Sequence, residues 1–145
     1  SGMALHILKL CVGVDTVEDL EAWIAHISAE RARDGHEHHF HTTRMVPQRK
    51  PEILEGGSIY WVIKGTVQCR QRLIGIEPFT DGQGIGRCRL MLDPEVVRTH
   101  WQPRRAFQGW RYLKPDDAPE DVGGSNVLAE MPPKLRLELA ELGLL

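Results

Sequence analysis

SIYWVIKGTVQCRQRLIGI, residues 58–76, is the stretch that decides the fold. Its first part, Ser58 to Lys64, is apolar on both faces, which predicts a strand in the interior of a sheet. Gly65-Thr66 predicts a tight turn, and Val67 to Ile76 predicts a second strand after it. A hairpin with one fully buried arm indicates that a sheet forms the centre of the domain.

Upstream of this hairpin the sequence predicts one strand and one long helix. Leu5 to Val14 is short, apolar and branched, which favours a buried strand. Thr16 and Asp19 form a capping box that opens a helix through about Asp34, and Gly35 ends it. The apolar face of this helix is predicted to comprise Val17, Leu20, Trp23, Ile24 and Ile27.

Shorter elements complete the chain. His36 to Val46 predicts a polar turn and then a strand, and Pro51 to Gly57 predicts a short helix. Downstream, the glycine-dense turn Asp81 to Gly86 precedes a strand, Arg87 to Leu92. Residues 101–114 are predicted to be irregular apart from a strand at Trp110 to Leu113. Residues 115–133 form an acidic, Pro- and Gly-rich loop, and Pro133 begins a terminal helix with Leu135, Leu139 and Leu142 on one side.

Together these elements predict an α+β fold: a small, curled, mixed or antiparallel sheet or barrel with an N-terminal and a C-terminal helix. The 145 residues suit a single domain at 3–145, with Ser1 and Gly2 as an expression remnant before Met3. No run of eighteen apolar residues exists, so no membrane span is expected. Three well-separated cysteines predict reduced thiols and a cytoplasmic location.

Charge is segregated along the chain. Residues 42–114 hold thirteen Lys and Arg against six Asp and Glu, whereas residues 1–41 hold three against seven and residues 115–145 two against seven. The central segment also carries seven of the nine aromatic residues. Basic side chains interleaved with flat rings are typical of nucleic-acid-binding surfaces.

The sequence therefore predicts a nucleic-acid-binding module, with RNA preferred. Cationic side chains would contact phosphates, and rings in the irregular segment would stack on bases. Arg70 and Arg72 share one strand face, as do Arg87 and Arg89, so these four guanidiniums are expected to crowd one side of the sheet. The predicted binding residues are Arg44, Arg49, Lys64, Arg70, Arg72, Arg104, Arg105, Trp110, Arg111 and Tyr112.

The histidine cluster HEHHFH, residues 36–41, supports an alternative function. On a strand His39 and His41 point the same way, an arrangement that can offer two ligands to a transition metal. The string resembles the H-x-H-x-D-H motif of metallo-β-lactamase-like hydrolases, but Phe40 occupies the place of the Asp. The alternative is thus a metal-binding protein or metal-dependent hydrolase centred on residues 36–41.

No catalytic signature is recognisable. Gly82, Gly84 and Gly86 lie between two strands and not before a helix, so they predict a hairpin turn instead of a phosphate loop. Cys11, Cys69 and Cys88 lack a neighbouring base in the sequence, and no Ser lies in a G-x-S-x-G elbow. A third interpretation is an interaction module whose acidic ends, including residues 115–130, bind a basic partner.

The chain resembles a full-length bacterial family of unknown function, mostly alphaproteobacterial. The resemblance is carried by MALHILKLCVGVDTVEDLEAW (3–23), HTTRMVPQR (41–49), GGSIYWVIKG (56–65) and FQGWRYLKP (107–115). It implies a cytoplasmic stand-alone domain with no established activity. More weakly, the order of elements is similar to the PUA-like superfamily of small β-barrels, which includes RNA-binding modules; this is an analogy of fold alone.

Overall fold

The structure is a computed structural model that describes residues 4–36, 38–122 and 132–143. It is an α+β fold built on a seven-stranded, mostly antiparallel sheet with the order β2-β5-β4-β3-β1-β7, in which β6 pairs with β4. The strands are β1 (His6–Leu10), β2 (His39–Thr43), β3 (Ser58–Ile63), β4 (Thr66–Thr80), β5 (Gly86–Leu92), β6 (Val97–Pro103) and β7 (Trp110–Leu113). The helices in the described residues are α1 (Val17–Arg33), α2 (Lys50–Leu54) and α3 (Pro133–Glu141). The predicted fold class is confirmed, and the curled sheet is open.

The β3–β4 hairpin lies at the centre of the sheet. All six residues of β3 are buried, in agreement with its two apolar faces. The turn consists of Lys64 and Gly65, which adopt φ of +50° and +82°, and not of Gly65-Thr66, because Thr66 already pairs with Ile63. β4 is fifteen residues long, longer than predicted. Its first half pairs with β3 and β6 and its second half with β5, so one strand connects both ends of the sheet.

Helix α1 crosses from β1 toward β2 and covers one face of the sheet. Thr16 Oγ1 accepts a hydrogen bond from the backbone N–H of Asp19 at 3.1 Å, and Gly35 ends the helix region with φ of +89°, as predicted. Val17, Leu20 and Ile24 pack into the main core. The predicted apolar face is only partly buried, since the Trp23 side chain is 53% exposed.

Two predictions in the second half of the chain are wrong. Residues 101–103, expected to be irregular, form the end of β6 (Val97–Pro103), because pairing with the distant strand β4 stabilises a segment whose local propensity is mixed. Helix α3 forms where expected, but Leu135 and Leu142 are 42% and 71% exposed. Its buried residues are Arg136 and Ala140 instead.

The predicted crowding of four arginines on one side of the sheet is also wrong. In the β4–β5 register Arg87 lies opposite Phe79, and Arg89 lies opposite Glu77. Arg70 pairs instead with Tyr60 of β3 and Val97 of β6. Because β4 is longer than predicted, Arg70 and Arg72 lie in its first half, whereas Arg87 and Arg89 of β5 lie opposite its last residues.

The acidic segment is ordered at its start. Residues 115–117 form a short 3-10 helix. The backbone of residues 120–122 runs along β6: His100 N donates to Glu120 O at 2.8 Å, and Val122 N donates to Arg98 O at 3.0 Å. The rest of the predicted loop, residues 123–131, lies outside the described residues.

Membrane and disulfide features can be compared with the predictions over residues 4–36, 38–122 and 132–143. No helix in these ranges has the length and apolar character needed to cross a membrane. Cys11, Cys69 and Cys88 are free thiols, as their spacing predicted.

Gly57 is the glycine on which the start of β3 depends. A Cβ at this position would lie 2.3 Å from the backbone oxygen of Leu5 and 2.4 Å from that of Ile53. We expect Gly57→Ala to lower the free energy of unfolding by about 3 kcal/mol, since backbone atoms would have to move. Gly82→Ala is the matched control, because a Cβ there meets nothing within 4 Å. Urea denaturation measures both, and equal stability of the two variants would contradict the packing described.

Candidate functional site

A cavity of about 730 Å³ lies between helix α1 and the inner face of the sheet. Its walls are mostly apolar, and the polar groups on them come from several separate elements. β1 contributes Lys9, α1 contributes Arg31, and β4 contributes Gln71. β2 contributes His39 and His41. The remaining lining is largely Leu10, Cys11, Val14, Leu20, Trp23, Ile24, Ile27, Phe40 and Trp61.

The curl of the sheet creates this cavity. β4 and β5 lie between β2 and β3 in the sheet order, yet the His41 ring of β2 packs edge-on against Trp61 of β3, with ring centroids 5.2 Å apart. In a flat sheet, strands three positions apart would be separated by roughly 14 Å. The inner faces of the two strands therefore turn toward one another across a concave floor.

A series of hydrogen bonds holds the Trp61 side chain in place on the floor of the cavity. Trp61 Nε1 donates to Gln71 Oε1 at 2.9 Å, and Gln71 Nε2 donates to the Asp93 backbone oxygen at 3.0 Å. Gln71 is fully buried. Because both ends of its amide are bonded, its orientation is set, and the indole against which His41 packs is held in one position.

Arg31 closes one end of the cavity, at the edge strand β2. Its guanidinium donates to the Phe40 backbone oxygen, and its Cζ lies 3.8 Å from the centroid of the Phe40 ring. Arg89 approaches the same ring, with its Cζ 5.2 Å from the centroid. Partial burial and the nearby Arg89 charge both lower the pKa of Arg31. A guanidinium remains charged under such a shift, so this end of the cavity is cationic.

Both histidines in the cavity are neutral at physiological pH. Burial, and then the charge of Arg31, lowers the pKa of His39 to about 4. Burial likewise lowers the pKa of His41 to about 4, and Lys9, Arg31 and His39 act in the same direction. Burial also lowers the pKa of Lys9. Two neutral imidazoles thus lie beside two cations, and each imidazole offers one N–H donor and one acceptor.

Carboxylates do not balance these cations within the described part of the chain. No ion pair of Lys9 or Arg31 occurs there within 4.0 Å. Asp19 is the carboxylate on the cavity wall, but it lies in the first turn of α1 and accepts a hydrogen bond from Asp15 N at 3.1 Å. The positive potential of the cavity is therefore uncompensated near the histidines.

Cys11 lines the cavity without being an activated nucleophile. Burial raises the pKa of its thiol to about 12, although the nearby Lys9 charge opposes this shift. The thiol is protonated at neutral pH, and the thiolate is the reactive form. Cys11 contributes apolar surface to the wall.

The rim of the cavity is unusually apolar for a protein surface. Val12 is 90% exposed and Trp23 is 53% exposed, and both line the cavity. Exposed apolar side chains at the mouth of a concave site are typical of ligand-binding grooves.

The side chains predicted to bind nucleic acid do not form one open groove. Arg49 pairs with Glu52 at 2.6 Å, Lys64 with Asp15 at 2.9 Å, and Arg70 with Asp121 at 2.7 Å. Arg104 donates to Gln102 Oε1. Carboxylates of the acidic terminal segments thus pair with Lys64 and Arg70, whereas Arg49 pairs within the central segment.

Of the predicted rings, Trp110 and Tyr112 pack against each other, and the Arg49 guanidinium lies 5.6 Å from the Tyr112 ring centroid. Trp110 is buried, and its Nε1 donates to Met45 O at 2.8 Å. The Tyr112 hydroxyl accepts hydrogen bonds from the backbone N–H groups of Gln48 and Arg49. The buried Trp110 ring offers no face for stacking on bases, and Tyr112 is half-buried. Four of the predicted arginines remain exposed without an ion pair in the described residues, namely Arg44, Arg72, Arg105 and Arg111.

Arg72 and Arg111 illustrate this dispersal. They belong to β4 and β7, which are separated by β3 and β1 in the sheet. Strand spacing alone places them roughly 14 Å apart. The only ring contact of Arg111 among the described residues is with Phe107, whose centroid lies 4.7 Å from its Cζ.

The predicted metal ligands His39 and His41 do share one strand face and line the cavity. Within the described residues, however, no group of three or more His, Cys, Asp or Glu side chains is arranged to hold a metal ion. The neighbouring cations, Lys9 and Arg31, would repel a bound cation. Their field favours an anion at this position.

Sequence reasoning identified the two histidines but missed Lys9, Arg31 and Gln71. Lys9 lies in an otherwise apolar strand and Arg31 lies near the end of an amphipathic helix. Each is an isolated polar residue on the inward side of its element, which is the signal that would have marked them. Their convergence depends on the curl of the sheet, which no local pattern encodes.

Comparison with known proteins gives one result for the whole chain. Residues 7–145 match a family described as Protein of unknown function (DUF1489). No curated protein matches the chain, and no solved structure matches it. All of the cavity-lining residues lie within the matched range.

The two buried imidazoles predict a pH dependence of stability. The pKa of each is about 4 in the folded protein and about 6.5 in an unfolded chain. Between these values the unfolded state binds more protons, so the free energy of unfolding falls as the pH is lowered from about 6.5 to about 4. Urea denaturation at several pH values should show a shallower fall for His39→Gln/His41→Gln than for the wild type.

The matched control for this experiment is His26→Gln, which removes an exposed imidazole outside the cavity. It should keep the wild-type dependence on pH. A double variant at residues 39 and 41 that also keeps the wild-type dependence would show that these imidazoles are not buried next to cations.

Proposed function

The chain belongs to this family of unknown function, and from the cavity of this member we propose that the protein binds a small organic anion. The ligand has an apolar, preferably aromatic, body and one carboxylate, sulfonate or phosphate group. The observation that carries the proposal is the uncompensated pair of cations, Lys9 and Arg31, beside two neutral imidazoles in a large apolar cavity.

The volume and the lining support a ligand of this kind. Ligand sites typically enclose about 300–1,000 Å³ and combine apolar walls with a few converging polar groups, and the cavity of about 730 Å³ falls within this range. Leu20, Ile24 and Ile27 of α1 would cover one side of the ligand body, and Trp61 would cover the other. Exposed Val12 and Trp23 would cover the outer part of the ligand at the rim.

The electrostatics support an anionic head group. Burial disfavours the charged forms of Lys9 and Arg31. A bound anion would offset this desolvation cost. It would accept charge-assisted hydrogen bonds from these cations and neutral ones from the N–H groups of His39 and His41. The same anion would favour protonation of the imidazoles, so binding and imidazole pKa are linked.

This proposal predicts a preference for anions over neutral compounds of the same shape. We expect 2-naphthoate to bind at least about tenfold more tightly than 2-naphthamide, since charge-assisted hydrogen bonds contribute roughly 1.5–3 kcal/mol. Two-dimensional NMR titration measures both affinities and locates the shifts, which should fall on β2, α1 and the Trp61 indole N–H.

Three variants test the origin of this preference. Arg31→Met and Lys9→Met should each reduce it, whereas Arg33→Met, an exposed arginine one half-turn further along α1 and outside the cavity lining, should retain it. Equal affinity for the two compounds, or shifts located away from the cavity, would contradict the proposal.

Nucleic-acid binding, with RNA preferred, stays a second proposal from the charge pattern of the sequence. Arg44, Arg72, Arg105 and Arg111 are exposed and available to phosphates. Three further predictions stay predictions: the similarity to PUA-like barrels, the alphaproteobacterial origin and the cytoplasmic location. The alternative of a metal site at His39 and His41 also stays a prediction.

RNA binding predicts a measurable dependence on salt. If two exposed arginines contact phosphates, Arg105→Gln/Arg111→Gln should reduce the slope of log affinity against log salt by about 1.4, because each contact to a single strand contributes about 0.7. Fluorescence anisotropy with mixed-sequence RNA measures the slope, and Arg33→Gln is the control. A wild-type protein that fails to bind at low salt would rule out this function.

A further inference from the structure

A second pocket, of about 220 Å³, lies where α3 packs beside β6. Its lining includes Lys64 from the β3–β4 turn, Gln68 from β4 and Trp101 from β6. α3 contributes Lys134 and Arg136. None of the residues that line it belongs to the larger cavity.

Arg136 is the notable residue of this pocket. It is only 5% exposed, and its Cζ lies 5.2 Å from the centroid of the Trp101 ring. Its Nε is buried and has no hydrogen-bond partner among the described residues, and no carboxylate there lies within ion-pair distance. Because no counter-charge for this buried guanidinium lies among the described residues, a nearby anion would offset its desolvation.

The other charged residues of the pocket lining are Asp15, Lys64 and Lys134. Lys64 is paired with Asp15 at 2.9 Å, which leaves Lys134 and Arg136 as a net charge of +2 on the described lining. A dianion matches this charge.

The first turn of α3 adds backbone donors. α3 begins at Pro132-Pro133 and has no side-chain cap. Arg136 N donates to Pro132 O at 3.1 Å, whereas the N–H groups of Lys134 and Leu135 make no backbone hydrogen bond among the described residues. The positive end of the helix dipole at the start of this nine-residue helix favours an anion, and N–H groups without a partner among the described residues would add donors.

We propose that this pocket binds a phosphate group. The guanidinium of Arg136, the ammonium of Lys134 and the N–H groups in the first turn of α3 match the charge and the several acceptor oxygens of a phosphate dianion. The volume of about 220 Å³ admits the phosphate together with a small attached group, and any larger part of the ligand would extend toward solvent. The phosphate can be inorganic or belong to a small monoester.

Bound phosphate would also attach α3 to the sheet. The contacts of Arg136 and Ala140 with β6 are what dock the helix, and neutralising Arg136 removes the electrostatic cost of that docking. Binding should therefore raise the melting temperature of the whole protein, and amide exchange in α3 should slow.

The test uses the full chain, with inorganic phosphate and phenyl phosphate titrated at constant ionic strength set by chloride. NMR shifts are expected at the α3 amides and the Trp101 indole, and not on β2. Lys134→Met, at an exposed position that should not disturb folding, is expected to weaken binding at least about fivefold, and Lys114→Met is the control at another exposed lysine. Tighter binding of phenyl phosphate indicates a monoester ligand, and equal binding indicates free phosphate.

Two results would overturn the proposal. One is a response to phosphate that equals the response to chloride, or that persists unchanged in Lys134→Met. The other concerns Glu130, which lies outside the described residues: if phosphate binds only after Glu130→Gln, the chain supplies its own counter-ion. Because the readout is at α3 and not at β2, failure here leaves the larger cavity unaffected, and failure of naphthoate binding leaves this pocket unaffected.

Discussion

The continuous pairing of β4 is the constraint on which the rest of the structure depends. A strand of fifteen residues pairs along its first half with β3 and β6 and along its second half with β5. Because adjacent strands twist relative to each other, so long a strand rotates its two ends by a large angle. The register shift between Leu73 and Gly75 adds a local bend. β2, at the β5 end, therefore turns back over β3, and α1 lies across the concave face that results.

Charge is distributed unevenly over this framework. On the outer surfaces, acidic side chains from other parts of the chain pair with basic ones, as in Arg70 with Asp121 and Arg98 with Glu21. Lys9 and Arg31 of the inner cavity, and Lys134 and Arg136 of the α3 pocket, lack such pairs among the described residues. Since desolvated cations are costly when they are left alone, the two concave surfaces are where an external anion would bring the greatest gain.

The sequence predicted those elements whose signals are local. The Thr16 cap, the Gly35 terminator and the two-sided apolar strand at 58–63 each depend on a few neighbouring residues, and each element formed where expected. β6 was missed because its pairing partner is distant in the sequence and Pro103 lies at its end. The arginine cluster was predicted wrongly because its register depended on the length of β4. The site was predicted in part. His39 and His41 share a face because side chains alternate along a strand, but their proximity to Lys9 and Arg31 results from the curl of the sheet.

The central claim is that the cavity holds neutral imidazoles beside uncompensated cations. The most direct test is to follow the ring protons of His39 and His41 by NMR as a function of pH. The account predicts that both rings titrate near pH 4 in the free protein and at a higher pH when 2-naphthoate is bound. Midpoints near 6.5 in the free protein, unchanged by the anion, would contradict it.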